Sequence, residues 1–140
     1  MPLWLFLGSL NGLIAVGASA YGWHALASEP ALQKMFEIAS FNQMVHGLAM
    51  LTVAWLATGG NRVTRVLVHA AGACFLLGLV LFSGTLYWLV LADTLLIRGA
   101  APVGGMLLMA GWLLLMIVAA VAALGGARTI HGGNIYEAGN

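Results

Sequence analysis

The chain has 140 residues, of which 62% are apolar and only 6% are charged, and its formal net charge is +1. A soluble domain of this size needs much more ionic surface, so the composition excludes an ordinary water-soluble globular protein and indicates a membrane protein. The basic residues are also too few and too scattered for nucleic-acid binding.

Four apolar stretches each have about the 20 residues that cross the hydrocarbon of a bilayer. In chain order they cover residues 3–26, 39–57, 66–92 and 103–126. Each stretch is continuous rather than alternating, which disfavours a β-barrel. The sequence therefore predicts an all-α membrane protein: a four-helix transmembrane bundle in residues 1–126, followed by a polar C-terminal tail in residues 127–140.

The first stretch has a small-residue pattern at residues 18–20 that suits a signal-peptide cleavage site. No lysine or arginine precedes it, however, so we interpret it as the first spanning helix. Gly8 and Gly12 have the GxxxG spacing that lets two helices approach closely. Further candidate packing glycines are Gly22, Gly84, Gly104 and Gly105.

The segment between the first two spans, "SEPALQKMFEIAS", has helical features of its own. Ser28 suits a helix cap, Pro30 suits a first turn, and apolar residues follow at helical spacing. Two interpretations stay open. The segment forms a short helix on the outer interface, or the second spanning helix begins early, at about Ala31.

Polar side chains cluster at one level of the predicted bundle. Asn42 and Gln43 precede His46 by four and three residues, so all three can share one helix face. Such groups must face the bundle interior or a wet cavity, because lipid cannot hydrogen-bond to them. They form either interhelical hydrogen bonds that set the packing register or a small ligand cavity. The ligand-binding candidates at this outer level are Tyr21, His24, Asn42, Gln43, His46, Ser83 and Tyr87.

Other chemistry has little support in the sequence. A haem held by His24 and His46 is disfavoured because the two residues lie at different depths. The single cysteine, Cys74, excludes a cysteine-based metal site, and there is no HExxH motif. Ser83 has no evident base and orienting partner. The sequence names no cofactor and favours a protein that is not an enzyme.

Basic residues and tryptophans indicate the orientation. Arg62 and Arg65 lie between the second and third spans and Arg128 follows the fourth, against Lys34 and Arg98 on the other side. The positive-inside rule then places both termini in the cytoplasm. Tryptophans near span ends suggest interfacial belts; these are Trp4, Trp23, Trp55 and Trp88.

Five motifs resemble a family known as domain of unknown function 423, whose eukaryotic relatives are called transmembrane protein 256. They are "AYGWH" at 20–24, "NQMVH" at 42–46, "FSGTLY" at 82–87, "APVGG" at 101–105 and "AGW" at 110–112. The resemblance runs in order over residues 8–112. It implies a small multi-helix protein of the bacterial inner (cytoplasmic) membrane, and it implies no particular chemistry.

Some positions depart from the family pattern. The family's first helix reads Gly-Ala-Phe-Gly-Ala-His, which Gly22 and His24 match; Ser19, Tyr21 and Trp23 do not. In the second helix an asparagine, the first residue of "NQMVH", stands where the family has tyrosine. The resemblance therefore does not define the shape of any cavity in this chain.

Two functions follow as hypotheses. The first is a non-catalytic accessory or assembly subunit, in contact with the lipid bilayer and with other membrane subunits or further copies of itself. The alternative is a ligand-binding membrane protein. In it, Gln43, His46 and Tyr87 would hold the polar head of a quinone or a lipid in an outer-side cavity.

Overall fold

The computed structural model describes residues 2–95 and 97–133, with side-chain surroundings up to residue 124. These residues contain four helices in succession: α1 (Pro2–Ala25), α2 (Pro30–Leu56), α3 (Arg62–Ala92) and α4 (Ala100–Gly133). Among the described residues, three helices are long and apolar enough to cross a membrane: α1, α3 and the part of α4 over Ala100–Leu124. The all-α class is confirmed with these three candidate spans.

The beginning of α2 decides between the two interpretations of the segment before the second predicted span. One unbroken helix runs from Pro30 to Leu56, so the separate interfacial helix is wrong and the early start is confirmed. No proline follows Pro30 in this stretch, so its backbone hydrogen bonds continue without interruption. The cap residue is Glu29, without a side-chain hydrogen bond, and not Ser28 as expected.

Two other helix ends are of interest, the C-terminal end of α4 and the N-terminal end of α3. The helix α4 continues to Gly133, so residues 127–133 of the predicted tail are helical, whereas residues 134–140 lie outside the described residues. Asn61 caps α3 by accepting a hydrogen bond from the Thr64 N–H at 2.9 Å. Just before it, Gly60 has φ of 76°, a conformation that favours glycine.

The helix α2 lies between α1 and α3, and α4 packs against α3. Gly8 of α1 lies opposite Gly47 of α2, and Gly22 lies opposite Phe36. Residue numbers therefore increase along α1 as they decrease along α2, so these helices are antiparallel. A hydrogen bond between Trp4 and His69 joins the N-terminal parts of α1 and α3, so α1 and α3 run parallel.

Two helix pairs approach closely at glycines. A Cβ on Gly8 would lie 2.8 Å from the Gly47 carbonyl oxygen, and one on Gly104 would lie 2.5 Å from the Phe82 backbone nitrogen. Real side chains do not fit at such distances from backbone atoms. The crossings of α1 with α2 and of α3 with α4 therefore depend on these glycines.

The remaining predicted packing glycines have different surroundings. Gly22 lies against the Phe36 side chain, with 3.1 Å from a hypothetical Cβ to the ring. Gly105 would make only an ordinary 3.8 Å contact, Gly84 has a single backbone oxygen at 4.0 Å, and Gly12 has nothing within 4 Å. The GxxxG spacing thus places Gly8 at a helix contact within the chain, while the Cβ direction of Gly12 is open.

One cluster of buried apolar side chains draws on all four helices. Phe75, Met50 and Val53 are completely buried there, and because lipid is as apolar as these side chains, their close van der Waals packing is what favours association. Trp4 departs from the expected interfacial belt, since it is 6% exposed and covers Gly72. Trp23 is 72% exposed, which fits the belt.

Candidate functional site

A chain of side-chain hydrogen bonds connects three helices. The Tyr87 hydroxyl on α3 donates to Gln43 Oε1 on α2 at 2.8 Å. Gln43 Nε2 donates to Asn11 Oδ1 on α1 at 3.1 Å, and Asn11 Nδ2 donates to the Leu7 carbonyl at 2.9 Å. Gln43 is 7% exposed and Asn11 8%. Each of these side chains gives its neighbour a hydrogen bond that the lipid hydrocarbon could not supply.

Ser83 makes a separate link between α3 and α2. Its hydroxyl donates to the Ala39 carbonyl at 2.9 Å, and the side chain is 1% exposed. The carbonyl is already part of the α2 helical ladder, so this bond uses its second lone pair. Ser83 therefore joins two helices without breaking a backbone hydrogen bond.

His46 belongs to a different contact, on the side of α2 that faces α4. The Trp112 indole N–H donates to His46 Nε2 at 3.1 Å, and His46 Nδ1 lies 2.8 Å from the Asn42 carbonyl oxygen. An indole N–H only donates and a carbonyl only accepts, so this pairing requires a neutral imidazole with its hydrogen on Nδ1. The Phe75 ring packs beside it, at 5.5 Å between centroids. Both ring nitrogens are therefore engaged.

The three polar residues of "NQMVH" do not form one site. Gln43 forms hydrogen bonds with side chains of α1 and α3, and His46 accepts a hydrogen bond from a side chain of α4. Asn42 is half-buried, and its amide donates to the Ile38 carbonyl of its own helix at 3.0 Å. A spacing of three or four residues allows a common face, but the neighbouring helices lie on both sides of α2 and divide the residues between them.

Tyr21 and His24 lie at the C-terminal end of α1, apart from the other candidates. Tyr21 is 46% exposed, and its ring lies 5.4 Å from that of Phe36, which in turn lies 4.7 Å from the Tyr87 ring. His24 is exposed and lines an open cavity of about 640 Å³ between α1 and α2, together with Gln33. The structure does not bring His24 and His46 together, so it gives no support to the haem alternative.

Two members of these contacts were not among the sequence candidates. Asn11 is an amide within the first apolar stretch, and this polar residue in a spanning segment was itself a usable signal. Trp112 belongs to the "AGW" motif, but its role as a hydrogen-bond donor depends on His46 of another helix. A third such contact joins the Trp4 indole N–H to His69 Nδ1 at 2.7 Å.

The buried polar atoms of this region take part in hydrogen bonds. Within the part of the chain whose side chains are described, no buried side-chain nitrogen or oxygen lacks a partner. The same residues contain no group of three or more His, Cys, Asp and Glu side chains that would hold a metal ion. Most candidate residues thus have a role in joining helices.

A groove in the side of the bundle nevertheless reaches the hydrogen-bonded series of Tyr87, Gln43 and Asn11, here called the polar chain. A cavity of about 320 Å³ opens between α1 and α3, with α2 at its back. Its walls are apolar, and Asn11, Gln43, Ser83 and Tyr87 supply its polar groups. The apolar lining residues are Leu7, Leu10, Ile14, Leu76, Leu79 and Val80, with Gly84.

Comparison with known proteins places the chain in a family. Residues 18–105 match the family described as protein of unknown function (DUF423). A UPF0382 membrane protein of Staphylococcus epidermidis is 38% identical over 119 residues, which cover 84% of this chain and 94% of that protein. Relatives with the same description in Staphylococcus saprophyticus and Staphylococcus aureus are 35% and 36% identical over 84% of this chain and 96% and 94% of their own.

No solved structure matches the chain. The family match lies within the residues 8–112 over which the sequence motifs resemble the family, and it contains the "NQMVH" and "FSGTLY" motifs, which supply Gln43 and Tyr87. The chain belongs to the DUF423 family of membrane proteins.

Proposed function

We propose that all four helices cross the membrane, α2 included. The helices α1 and α3 are parallel, and α2 runs between them in the opposite direction. Only residues 26–29 and 57–61 connect the three helices, and connections this short cannot return the chain across a bilayer of about 30 Å. If α1 and α3 span, α2 must span as well. The polar residues of α2 lower its mean hydropathy, and the neighbouring helices shield these residues from lipid.

The positive-inside rule supports an orientation in which both termini lie on the cytoplasmic side of a bacterial inner membrane. Arg62 and Arg65 then lie on the cytoplasmic side, and the connection between α1 and α2 lies outside. The test uses single cysteines at Ala27 and Thr58 in a Cys74→Ala background. With intact spheroplasts and an impermeant maleimide, Ala27→Cys should be labelled at once and Thr58→Cys only after lysis. The reverse pattern would invert the orientation.

The function that the geometry supports best is that of a non-catalytic accessory or assembly subunit of a larger membrane complex. The observation that carries this proposal is the use of the polar residues: Gln43, Tyr87 and His46 all hydrogen-bond to neighbouring helices. Side chains used in this way define a rigid bundle with one packing register. A rigid, almost wholly helical bundle is suited to contact other membrane helices along its outer surface.

The flank of α1 beside its contact with α2 supports this proposal, because the Gly12 backbone nitrogen lies near Gly47 of α2 while its Cβ direction points away from the bundle. Gly12 has no atom near its Cβ direction, and small residues are the ones that permit close helix contacts in membranes. The exposed surface beside it is apolar, with Leu13 at 72% exposure and Val16 at 59%. A second helix can therefore approach the α1 backbone there without a change in the bundle.

The test isolates the full chain, tagged at its chromosomal locus, from its native membrane in a mild detergent. Native mass spectrometry should show an assembly of defined stoichiometry. Gly12→Leu should dissociate it with the melting temperature unchanged, whereas Ala119→Leu, at an exposed site on α4, should leave it intact. Monomer alone in the wild type, across several mild detergents, would refute the assembly role.

A second candidate function is ligand binding, which the groove between α1 and α3 favours specifically. Buried polar groups at the back of an apolar cleft are the usual features of a site for a small, mostly apolar molecule. Organic extracts of the purified protein should then contain one small molecule in stoichiometric amount, identified by mass spectrometry. Extracts that contain only bulk lipid in membrane proportions would contradict this function.

A further inference from the structure

Aromatic contacts lie beyond the two ends of the groove between α1 and α3. At one end Trp4 bonds to His69 and covers Gly72. Toward the other end, the Phe36 ring lies between those of Tyr21 and Tyr87. Between these contacts the backbones of α1 and α3 stay apart, and the buried Gln43 side chain of α2 lies at the back of the gap. The groove is thus entered from the membrane rather than from water.

The amides at the back of the groove have unused donors. Each amide nitrogen carries two hydrogens. Gln43 Nε2 donates one of them to Asn11, and Asn11 Nδ2 donates one to Leu7. One N–H of each side chain therefore has no protein acceptor. The hydroxyls differ, because Tyr87 and Ser83 each donate their only hydrogen within the protein.

The unused groups define the ligand chemistry. Two N–H donors in an apolar cleft recognise a molecule with an oxygen acceptor, such as a carbonyl, and an apolar body. Gln43 is six residues beyond Glu37, whose side chain forms an exposed ion pair, so Gln43 lies about 9 Å deeper along the helix. The interfacial region on each side of a bilayer is only about 5–8 Å thick, so this depth is within the hydrocarbon.

The depth and volume of the groove distinguish between two common carbonyl-containing membrane molecules, phospholipids and quinones. Ester carbonyls of phospholipids are fixed at the interface with their head groups, whereas a quinone ring can enter the hydrocarbon. A volume of about 320 Å³ is at the lower limit for ligand sites and suits one ring better than two acyl chains. We propose that this groove binds the head of an isoprenoid quinone, with a ring carbonyl accepting from Asn11 and Gln43. This inference rests on the ligand-binding candidate function.

The experiment uses the full chain in nanodiscs of phosphatidylethanolamine and phosphatidylglycerol. A tritiated azido-benzoquinone with a decyl tail is photolysed, and labelled peptides are mapped by mass spectrometry. Saturable labelling of α1 and α3 near Leu10 and Leu76, competed by unlabelled decyl-benzoquinone, is the expected result. Labelling that spreads over all four helices and does not saturate would reflect partition into lipid and would overturn the proposal.

Two variants test the groove without relying on the polar chain. The Cβ direction of Gly84 at the rim is nearly open, so Gly84→Leu should fill the groove, keep the melting temperature and weaken the saturable labelling about tenfold or more. The matched control is Gly12→Leu, at an open glycine outside the groove, which should label like the wild type. Equal labelling of the two variants would refute the site.

A third measurement separates failure of the quinone from failure of ligand binding. Organic extracts are taken from protein purified from its native membrane. A stoichiometric phospholipid, or another small molecule that disappears in Gly84→Leu, would overturn the quinone and retain a ligand-binding function. Absence of any such species, together with unsaturable labelling, would remove both.

Discussion

The contact of α3 with α4 at Gly104 makes a quantitative prediction about stability. A Cβ on Gly104 would lie 2.5 Å from the Phe82 backbone nitrogen and 2.8 Å from the Gly78 carbonyl oxygen. Neither backbone atom can move without displacing its helix. Gly104→Ala should therefore force the two helices apart, and overpacking of this kind costs about 1–3 kcal/mol of unfolding free energy.

The next residue is a matched control. Gly105 belongs to the same "APVGG" motif and the same helix turn, but a Cβ there would lie 3.8 Å from the Phe82 ring, an ordinary contact. Gly105→Ala gains the helix preference of alanine, at most about 1 kcal/mol. Gly104→Ala gains the same helix preference, so the two single substitutions should differ in unfolding free energy by the overpacking cost alone, about 1–3 kcal/mol, with Gly104→Ala the less stable.

The assay is reversible unfolding in dodecyl maltoside with increasing mole fractions of sodium dodecyl sulfate. Tryptophan fluorescence and circular dichroism follow the transition, and spectra without dodecyl sulfate verify that both variants fold. A transition midpoint for Gly104→Ala equal to or above that of Gly105→Ala would refute the inference that the α3–α4 crossing depends on backbone contact at Gly104.

Three further changes test the hydrogen bonds in the same unfolding assay. Gln43→Met conserves length but leaves the Tyr87 hydroxyl without its acceptor, and it should cost about 1–3 kcal/mol; a loss equal to that of Tyr87→Phe alone would show that the bond to α1 contributes nothing. His46→Leu should also lower stability by about 1–3 kcal/mol and change the emission of Trp112, whose indole N–H would lose its partner, and an unchanged melting temperature would contradict this bond. Trp4→Phe removes the donor to His69 and part of the buried ring that covers Gly72, so it should cost about 1–3 kcal/mol; an unchanged stability would mean that this contact does not hold the end of the bundle.

The class of protein and its spans were predictable from the sequence because they depend on local properties. Length and hydropathy along the chain are enough to identify α1, α3 and α4 as candidate spans. Membership of the family was also predictable, since "NQMVH" and "FSGTLY" are each a continuous stretch of the sequence. For the segment at Pro30, the helical spacing alone could not distinguish one helix from two, and the continuity of α2 decided it.

The partners of the polar residues required the tertiary structure. A pattern of residues on α2 gives the direction of each side chain about the helix axis, but not which helix lies in that direction. The rotations and offsets of α1, α3 and α4 pair Gln43 with Asn11 and Tyr87, and pair His46 with Trp112. A cluster that the sequence presents as one candidate site is therefore divided between two faces of α2.

The same distinction holds for the glycines. The sequence by itself determined that the chain is an apolar helical membrane protein with many positions where helices can approach closely. Only the tertiary structure decided that Gly104 lies against the backbone of another helix while Gly105, one residue on, does not. One residue turns the side-chain direction by about 100° around the helix axis, so contact depends on where the neighbouring helix lies, which is not a local property of the chain.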